Sequence, residues 1–156
     1  MTQPLAYFLT WTTYGSWLPG DRRGWVHHSD GAWHVPIREG DNRILGSAIH
    51  AMSGPSVILS QEQRDRVSST IQACCKTRNW GLHAINVRSN HVHVVVCAAD
   101  YSPERVMGYF KTWASRTLNG LASPGAKGPW WTRHGSTRYI NAPESLQKAI
   151  DYVVHQ

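Results

Sequence analysis

The chain has few cysteines, few acidic residues and no long apolar run. Cys74, Cys75 and Cys97 are odd in number and form no pair of C-x-x-C motifs, which argues against a disulfide framework and against a cysteine zinc cage. The longest apolar stretch, residues 94–99, is far shorter than the roughly 20 residues that a membrane helix needs. No basic residue precedes the first apolar run, so the sequence predicts no signal peptide. We therefore expect a cytoplasmic protein without a membrane partner.

The residues that are present indicate one folded domain with a polyanionic partner. A chain of 156 residues has the size of a single domain, 1–156, and its 41% of hydrophobic residues can fill a core. Sixteen Lys and Arg against ten Asp and Glu give a net charge of +6, and Arg outnumbers Lys by 12 to 4. Because arginine favours bidentate phosphate contacts and stacking on bases, the composition favours a nucleic acid as partner.

Four strands and three helices are predicted from the apolar patterns. The predicted strands span 4–13, 82–89, 91–98 and 136–141. The predicted helices span 60–80, 102–120 and 143–156. A capping box of Ser60 and Gln63 opens the first helix, Ser102 caps the second, and Asn90 joins the middle strands as a tight hairpin. The order β-α-β-β-α-β with an extra C-terminal helix predicts a ferredoxin-like α+β fold, with one antiparallel sheet facing two helices.

Residues 14–55 are predicted to form a long inserted loop after the first strand. Glycine and proline interrupt this segment repeatedly, and neither helical nor strand periodicity is sustained in it. Trp17, Trp25 and Trp33 argue against disorder, because disordered segments are poor in aromatic residues. The sequence assigns no role to this insertion.

Two histidines alternate with valines in the third predicted strand. His91 and His93 lie two residues apart, so a strand directs both imidazoles to one face and the intervening valines to the other. In a sheet covered by helices on one face, the valine face belongs to the core and the histidine face is left open. Two neighbouring imidazoles form a bidentate metal site, although surface histidine pairs also occur without a metal.

The C-terminal helix carries polar side chains outside its apolar stripe. The stripe consists of Leu146, Ile150, Val153 and Val154. Tyr152 lies about 130° from the centre of that stripe, and Lys148 and Gln156 lie one helical turn before and after it. From this helix alone, Tyr152 is either a tyrosine at the rim of the core or a nucleophile beside an oxygen ligand.

A stretch without acidic residues carries as much positive charge as the net charge of the whole chain. Its basic residues are Arg105, Lys111, Arg116, Lys127, Arg133 and Arg138. Trp130 and Trp131 follow a Gly/Pro-rich loop, where they either stack on bases or pack against the next strand. Trp113 is predicted to lie in the core, because it continues a helical pattern with Phe110.

Together these elements resemble the HUH single-tyrosine transposases, which include insertion-sequence enzymes and enzymes associated with repetitive extragenic palindromes (REP). The resemblance rests on the run SNHVHVVV at 89–96, on Tyr152 and Gln156 in a terminal helix, and on the opening YFLTWTTYGSWLPGDRRGWV at 7–26. It covers essentially the whole chain.

The resemblance implies cleavage and rejoining of single-stranded DNA through a 5′-phosphotyrosine. It makes Tyr152 the nucleophile and His91, His93 and Gln156 the ligands of a divalent metal ion, Mg²⁺ or Mn²⁺, with Lys148 assisting deprotonation of the phenol. The implied partner is single-stranded DNA with palindromic hairpin ends at a bacterial nucleoid, and a homodimer is left open. The residues assigned to DNA contact are Arg105, Lys111, Arg116, Arg133, Arg138, Trp130 and Trp131.

Two other classes of function stay open. A non-catalytic ferredoxin-like binder of single-stranded nucleic acid would use Tyr152 and the histidine pair for another purpose, although the RNP1 signature of RNA-recognition sheets is absent. A structural or hydrolytic metal domain would use His91, His93 and a third histidine. Nicking that leaves protein covalently on DNA separates the three classes, because only the transposase predicts the adduct.

Overall fold

One antiparallel sheet organises the computed structural model, which describes residues 3–24, 37–52, 54–123 and 128–156. The elements are β1 (Ala6–Thr12), α1 (Asn42–His50), α2 (Gln61–Arg78), β2 (Gly81–Val87), β3 (His91–Cys97), α3 (Pro103–Leu121), β4 (Ser136–Ile140) and α4 (Pro143–Val154). The strands pair in the order β2-β3-β1-β4, and every pairing is antiparallel. The predicted ferredoxin-like α+β fold is confirmed.

The helices α2 and α3 begin where the local sequence predicts. The Ser60 hydroxyl accepts a hydrogen bond from the Gln63 amide at 3.2 Å, and the Gln63 side chain accepts one from the Ser60 amide at 2.8 Å. Ser102 caps α3 in the same manner by accepting from the Arg105 amide. Helix α3 continues to Leu121, past the predicted stop at 119–120, since one glycine costs a helix only about 1 kcal/mol.

The predicted loop 14–55 contains a helix that the sequence prediction missed. Helix α1 begins after Asp41, whose carboxylate accepts hydrogen bonds from the amides of Arg43 and Ile44. Gly40 and Gly46 concealed this short helix, because they interrupt the apolar spacing. Earlier in the insertion, the Trp17 indole donates to the Gly24 carbonyl at 2.6 Å. The insertion residues Trp25 and Trp33, with His27, His28 and His34, lie outside the described residues.

The two faces of the sheet are covered differently. Helices α2 and α3 pack on the face that carries Val92, Val94 and Val96, all of which are fully buried. Helix α4 contacts β2 and β3 from the opposite face, where Val153 packs against Val95. The prediction of an open histidine face is therefore wrong over half of the sheet. The apolar stripe of α4 requires burial, and Val95 supplies an apolar surface on that face.

The structure corrects the predicted place of one tryptophan and decides between the two alternatives left open for another. Trp113 is 39% exposed on α3, because the buried stripe of the helix runs through Phe110, Ala114 and Leu118, so the predicted core position is wrong. Trp131 instead lies in the core, with its ring centroid 6.1 Å from that of Trp11 in an edge-to-face arrangement. Within the described part of the chain, no helix is long and apolar enough to cross a membrane.

Candidate active site

The paired imidazoles lie side by side on β3, under the edge of α4. The ring centroids of His91 and His93 are 4.7 Å apart. His93 is 6% exposed, whereas His91, nearer the end of the strand, is half-buried. Strand alternation therefore places both rings on one face, as the sequence predicts.

A neighbouring oxygen orients each imidazole. The Nδ1 atom of His93 lies 2.8 Å from the Thr10 hydroxyl, directly across from it on β1. The Nδ1 atom of His91 lies 2.8 Å from the Asn90 side-chain oxygen, which accepts hydrogen bonds and does not donate them. The Asn90 oxygen therefore favours a proton on Nδ1 of His91, which leaves the Nε2 lone pair free, and the Thr10 hydroxyl can accept the same bond from His93. Hydrogen bonds of this kind orient histidines that bind metals.

The environment keeps both imidazoles neutral at physiological pH. Burial, with smaller contributions from the neighbouring His91 and Arg88, lowers the pKa of His93 to about 4. Burial also lowers the pKa of His91, with a second contribution from the positive charge of Arg88. Because a neutral imidazole is the form that coordinates metals, the pair is ready to act as ligands near neutral pH.

Tyr152 extends from α4 over the edge of the histidine pair. Its ring centroid lies 5.6 Å from that of His93 and 6.0 Å from that of Phe8, and 52% of the side chain is exposed. Phe8 in turn stacks on His93 at 5.7 Å. The tyrosine is thus both a rim residue and a neighbour of the imidazoles, with its phenol accessible to a substrate.

The side chain of Gln156 meets the same pair of histidines. It lies close enough to His91 and His93 to favour their protonated forms, which partly offsets the lowering of their pKa values. Two neutral imidazoles and an amide therefore converge on one place beside Tyr152. Within the described residues, no group of three His, Cys, Asp or Glu side chains could hold a metal ion. Two imidazole nitrogens and the amide oxygen of Gln156 fit a divalent metal ion at this place. The mixed set of nitrogen and oxygen donors suits Mn²⁺, whereas Mg²⁺ is favoured by its abundance.

Among the arginines assigned to DNA contact, Arg138 shares the face of the site. Its position on β4 pairs with Phe8 across β1, and Phe8 contacts both His93 and Tyr152. Arg138 is exposed on the half of the sheet face next to β1, whereas the helix contacts of α4 are with β2 and β3.

The other predicted DNA contacts are dispersed. Arg105 and Arg116 lie over the rings of Tyr101 and Trp113, at 5.4 and 4.8 Å, on the helix that covers the opposite face. Arg133 is exposed in the segment before β4, and Lys148 is exposed one turn before Tyr152. Lys127 lies outside the described residues.

Three of the predicted contacts have internal partners. The Lys111 ammonium donates to the main-chain oxygens of Thr132 and His134, and burial lowers its pKa to about 8. The indole of Trp130 donates to the Asn119 side chain at 2.7 Å, and that of Trp131 to the Lys111 carbonyl at 3.2 Å. We leave Lys111 out of the DNA surface proposed below because its ammonium is bonded to two main-chain oxygens, and Trp131 because it lies in the core; Trp130 is only partly buried and is kept.

Sequence patterns missed four residues that shape the site: Phe8, Thr10, Asn86 and Arg88. Alternation along the first strand does place Phe8 and Thr10 on one face. Which face that is depends on the register with β3, which pairs Thr10 with His93 and which no local pattern specifies. Asn86 and Arg88 contact the end of α4 and are discussed below.

Comparison with known proteins identifies the class. Residues 51–156 match the family model described as transposase IS200 like. The chain belongs to the IS200-like transposase family. The match includes His91, His93, Tyr152 and Gln156, and it leaves out β1 and most of the insertion.

Two solved structures share the fold. A REP-associated tyrosine transposase bound to a REP hairpin aligns with a TM-score of 0.56 at 11% identity, covering 97% of this chain and 66% of the other. A transposase candidate from Deinococcus radiodurans R1 aligns with a TM-score of 0.53 at 14% identity, covering 100% and 93% of the two chains. This chain thus spans just under two thirds of the REP-associated structure. No curated protein sequence matches it significantly.

Proposed function

We propose that this transposase cleaves and rejoins single-stranded DNA with Tyr152 as its nucleophile and with a divalent metal ion held by His91, His93 and Gln156. The observation that carries the proposal is the convergence of three kinds of side chain on one place. Strand β3 supplies the two imidazoles, α4 supplies a phenol whose ring centroid lies 5.6 Å from that of His93, and Gln156, two residues beyond α4, supplies an amide.

The chemistry follows from the charges of the reactants. A phosphodiester and a phenolate repel each other, and a divalent cation, when bound, neutralises charge on the phosphate and lowers the barrier by several kcal/mol. The lowered pKa values of His91 and His93 favour the neutral imidazoles, the form that can hold such an ion.

Covalent catalysis accounts for the need for a tyrosine. The Tyr152 oxygen attacks phosphorus in line, the bond from phosphorus to the 3′ oxygen breaks, and that oxygen leaves with a proton as a 3′-hydroxyl. The 5′ end is then held as a phosphotyrosine ester. Attack by another 3′-hydroxyl reverses these steps and rejoins strands without an external energy source. If water attacked the phosphodiester instead, no phosphotyrosine ester would form and the strands could not be rejoined in this way.

The exposed half of the sheet face supports a single-stranded substrate. Tyr152 is 52% exposed at the edge of α4, and Arg138 lies on the same face beyond Phe8. The phosphates of a flexible single strand can bind along this exposed half of the sheet face. The DNA hairpin is then recognised by other parts of the protein. Arg105, Arg116, Arg133 and Trp130 are proposed for those further contacts.

The decisive experiment detects the covalent adduct. A labelled single strand carrying a palindromic hairpin is incubated with the protein and Mn²⁺ or Mg²⁺, and the products are separated under denaturing conditions. We expect a protein–DNA adduct that depends on the metal and is lost with EDTA. A strand bound tightly but never joined to protein would instead identify a non-catalytic nucleic-acid binder, and hydrolysis without an adduct would identify a metal-dependent hydrolase.

A further inference from the structure

The side chains of Asn86 and Arg88 form hydrogen bonds to the C-terminal end of α4 and to the residue two positions beyond it. The Asn86 amide donates to the main-chain oxygen of Val153 at 3.0 Å and to that of Gln156 at 3.4 Å. The Arg88 guanidinium donates to the same oxygen of Gln156 at 2.7 Å. Asn86 lies near the end of β2 and Arg88 directly follows the strand, and Asn86 pairs with His93 across the sheet.

The bond to Val153 meets a need that α4 does not satisfy by itself, and the bonds to Gln156 hold the chain just beyond the end of the helix. The last four carbonyls of a helix have no partner within the helix, and α4 ends at Val154 without the glycine that commonly closes a helix. A positive charge also interacts favourably with a helix C-terminus. Because Tyr152 and Gln156 both belong to this end, fraying would move the nucleophile and the amide ligand together.

We propose that Asn86 and Arg88 are positioning residues that hold the end of α4 so that Gln156 reaches the histidine pair and Tyr152 stays beside His93. This inference rests on the proposed function. Neither side chain needs to touch DNA or metal for it, since both act through the main-chain oxygens of Val153 and Gln156.

An electrostatic role for Arg88 predicts the opposite result. Its charge lies close enough to the histidine pair to disfavour a further positive charge there. If that were its only effect, removing the guanidinium would tighten the binding of a cation. If Arg88 positions Gln156, removing it weakens cation binding, because the amide ligand is lost from the site. The sign of the change therefore separates the two roles.

Calorimetric titration with Mn²⁺ alone tests the proposal on the whole chain without DNA. We expect Asn86→Ala and Arg88→Gln to weaken Mn²⁺ binding about 10–100-fold, the usual range for groups that orient metal ligands. In a Gln156→Ala background, the same substitutions should cause no further loss, since they act through Gln156. Arg88→Lys, which keeps a charged donor, should restore most of the affinity. Arg66→Gln, with the same charge change at an exposed position on α2, is the matched control and should bind like the wild type.

Amide hydrogen exchange provides a readout that needs neither metal nor activity. We expect faster exchange at residues 150–156 in Asn86→Ala and Arg88→Gln, with the rest of the sheet protected as in the wild type. Unchanged exchange there, or tighter Mn²⁺ binding by Arg88→Gln, would overturn the proposal. If the wild-type protein binds no Mn²⁺ and forms no DNA adduct, the proposed function fails, while the exchange experiment still decides whether the two side chains hold α4.

Discussion

The ring of Tyr152 contacts the imidazole of His93 edge to face, with 5.6 Å between their centroids and 76° between their planes. The two residues come from different layers, because His93 is fixed in the sheet and Tyr152 is carried by α4. His93 is 6% exposed and Tyr152 is 52% exposed. The sheet thus provides a rigid, buried half of the site, and the helix provides the half that a substrate can reach.

Replacing the nucleophile tests this division directly. Tyr152→Phe should keep the fold, Mn²⁺ affinity and DNA affinity, and it should abolish cleavage, because it removes only the phenolic oxygen. For a side chain so exposed, we expect a change of less than about 0.5 kcal/mol in the free energy of unfolding. Urea denaturation and a gel assay for nicked DNA measure both quantities. Nicking at the wild-type rate would remove Tyr152 from the mechanism.

Replacing each of the two proposed histidine ligands should affect the stability of the protein differently. His91→Ala and His93→Ala should both weaken Mn²⁺ binding. His93→Ala should also destabilise the protein by about 1–3 kcal/mol, because His93 is buried, stacks on Phe8 and is bonded to Thr10. His91→Ala should cost less, since His91 is half-buried.

Calorimetry and urea denaturation measure these effects, with His83→Ala at an exposed position of β2 as the control. If His93→Ala unfolds at the wild-type urea concentration, the buried imidazole has no structural role.

The sequence predicts what depends on local patterns. The period of two in HVHVVV places His91 and His93 on one face, and the side chains at Ser60 and Ser102 fix the starts of α2 and α3. Contacts between distant segments are not encoded in any local pattern. Neither the coverage of the histidine face by α4 nor the bond from Arg88 to Gln156, 68 residues away, is visible before the strands are placed in register. The helix α1 and the exposure of Trp113 were missed for the related reason that glycines and a lone aromatic residue blur helical periodicity.

Two arginines on opposite faces should contribute unequally to cleavage. Arg138→Gln should weaken both binding and cleavage of a hairpin-bearing single strand, because Arg138 shares the face of Tyr152. It should also reduce the log-log salt slope by about 0.7, the value for one phosphate contact on single strands. Arg116→Gln makes the same charge change on α3 and should leave the cleavage rate of bound DNA closer to that of the wild type. Equal losses of that rate in single-turnover assays would contradict a strand path across β1 and β4.

The buried ammonium of Lys111 should make stability depend on alkaline pH. Burial lowers its pKa to about 8 in the folded protein, whereas an unfolded lysine has a pKa of about 10.4. Between these values the unfolded chain binds more protons, so the contribution of Lys111 to the free energy of unfolding rises as pH increases from about 8 to about 10. Urea denaturation at pH 7 and pH 9.5 should show this rise in the wild type and a smaller one in Lys111→Met. Lys76→Met on the exposed face of α2 is the control, and an equal rise in all three proteins would refute the assignment.

The form of DNA that binds follows from the shape of the site. Tyr152 lies at the junction of a helix and a sheet, and a phosphorus atom must approach its oxygen to within about 3–3.5 Å in line. Duplex DNA is stiff, with a persistence length of about 150 base pairs, so bending its backbone into this junction is costly, whereas a single strand is flexible. A labelled hairpin-bearing single strand should therefore be displaced poorly by a fully paired duplex of the same sequence at fixed salt. The affinity for the single strand should fall with salt at a slope of about −0.7 per neutralised phosphate. Equal or tighter binding of the duplex would show that the positive charge serves a general duplex-binding surface and not the tyrosine site.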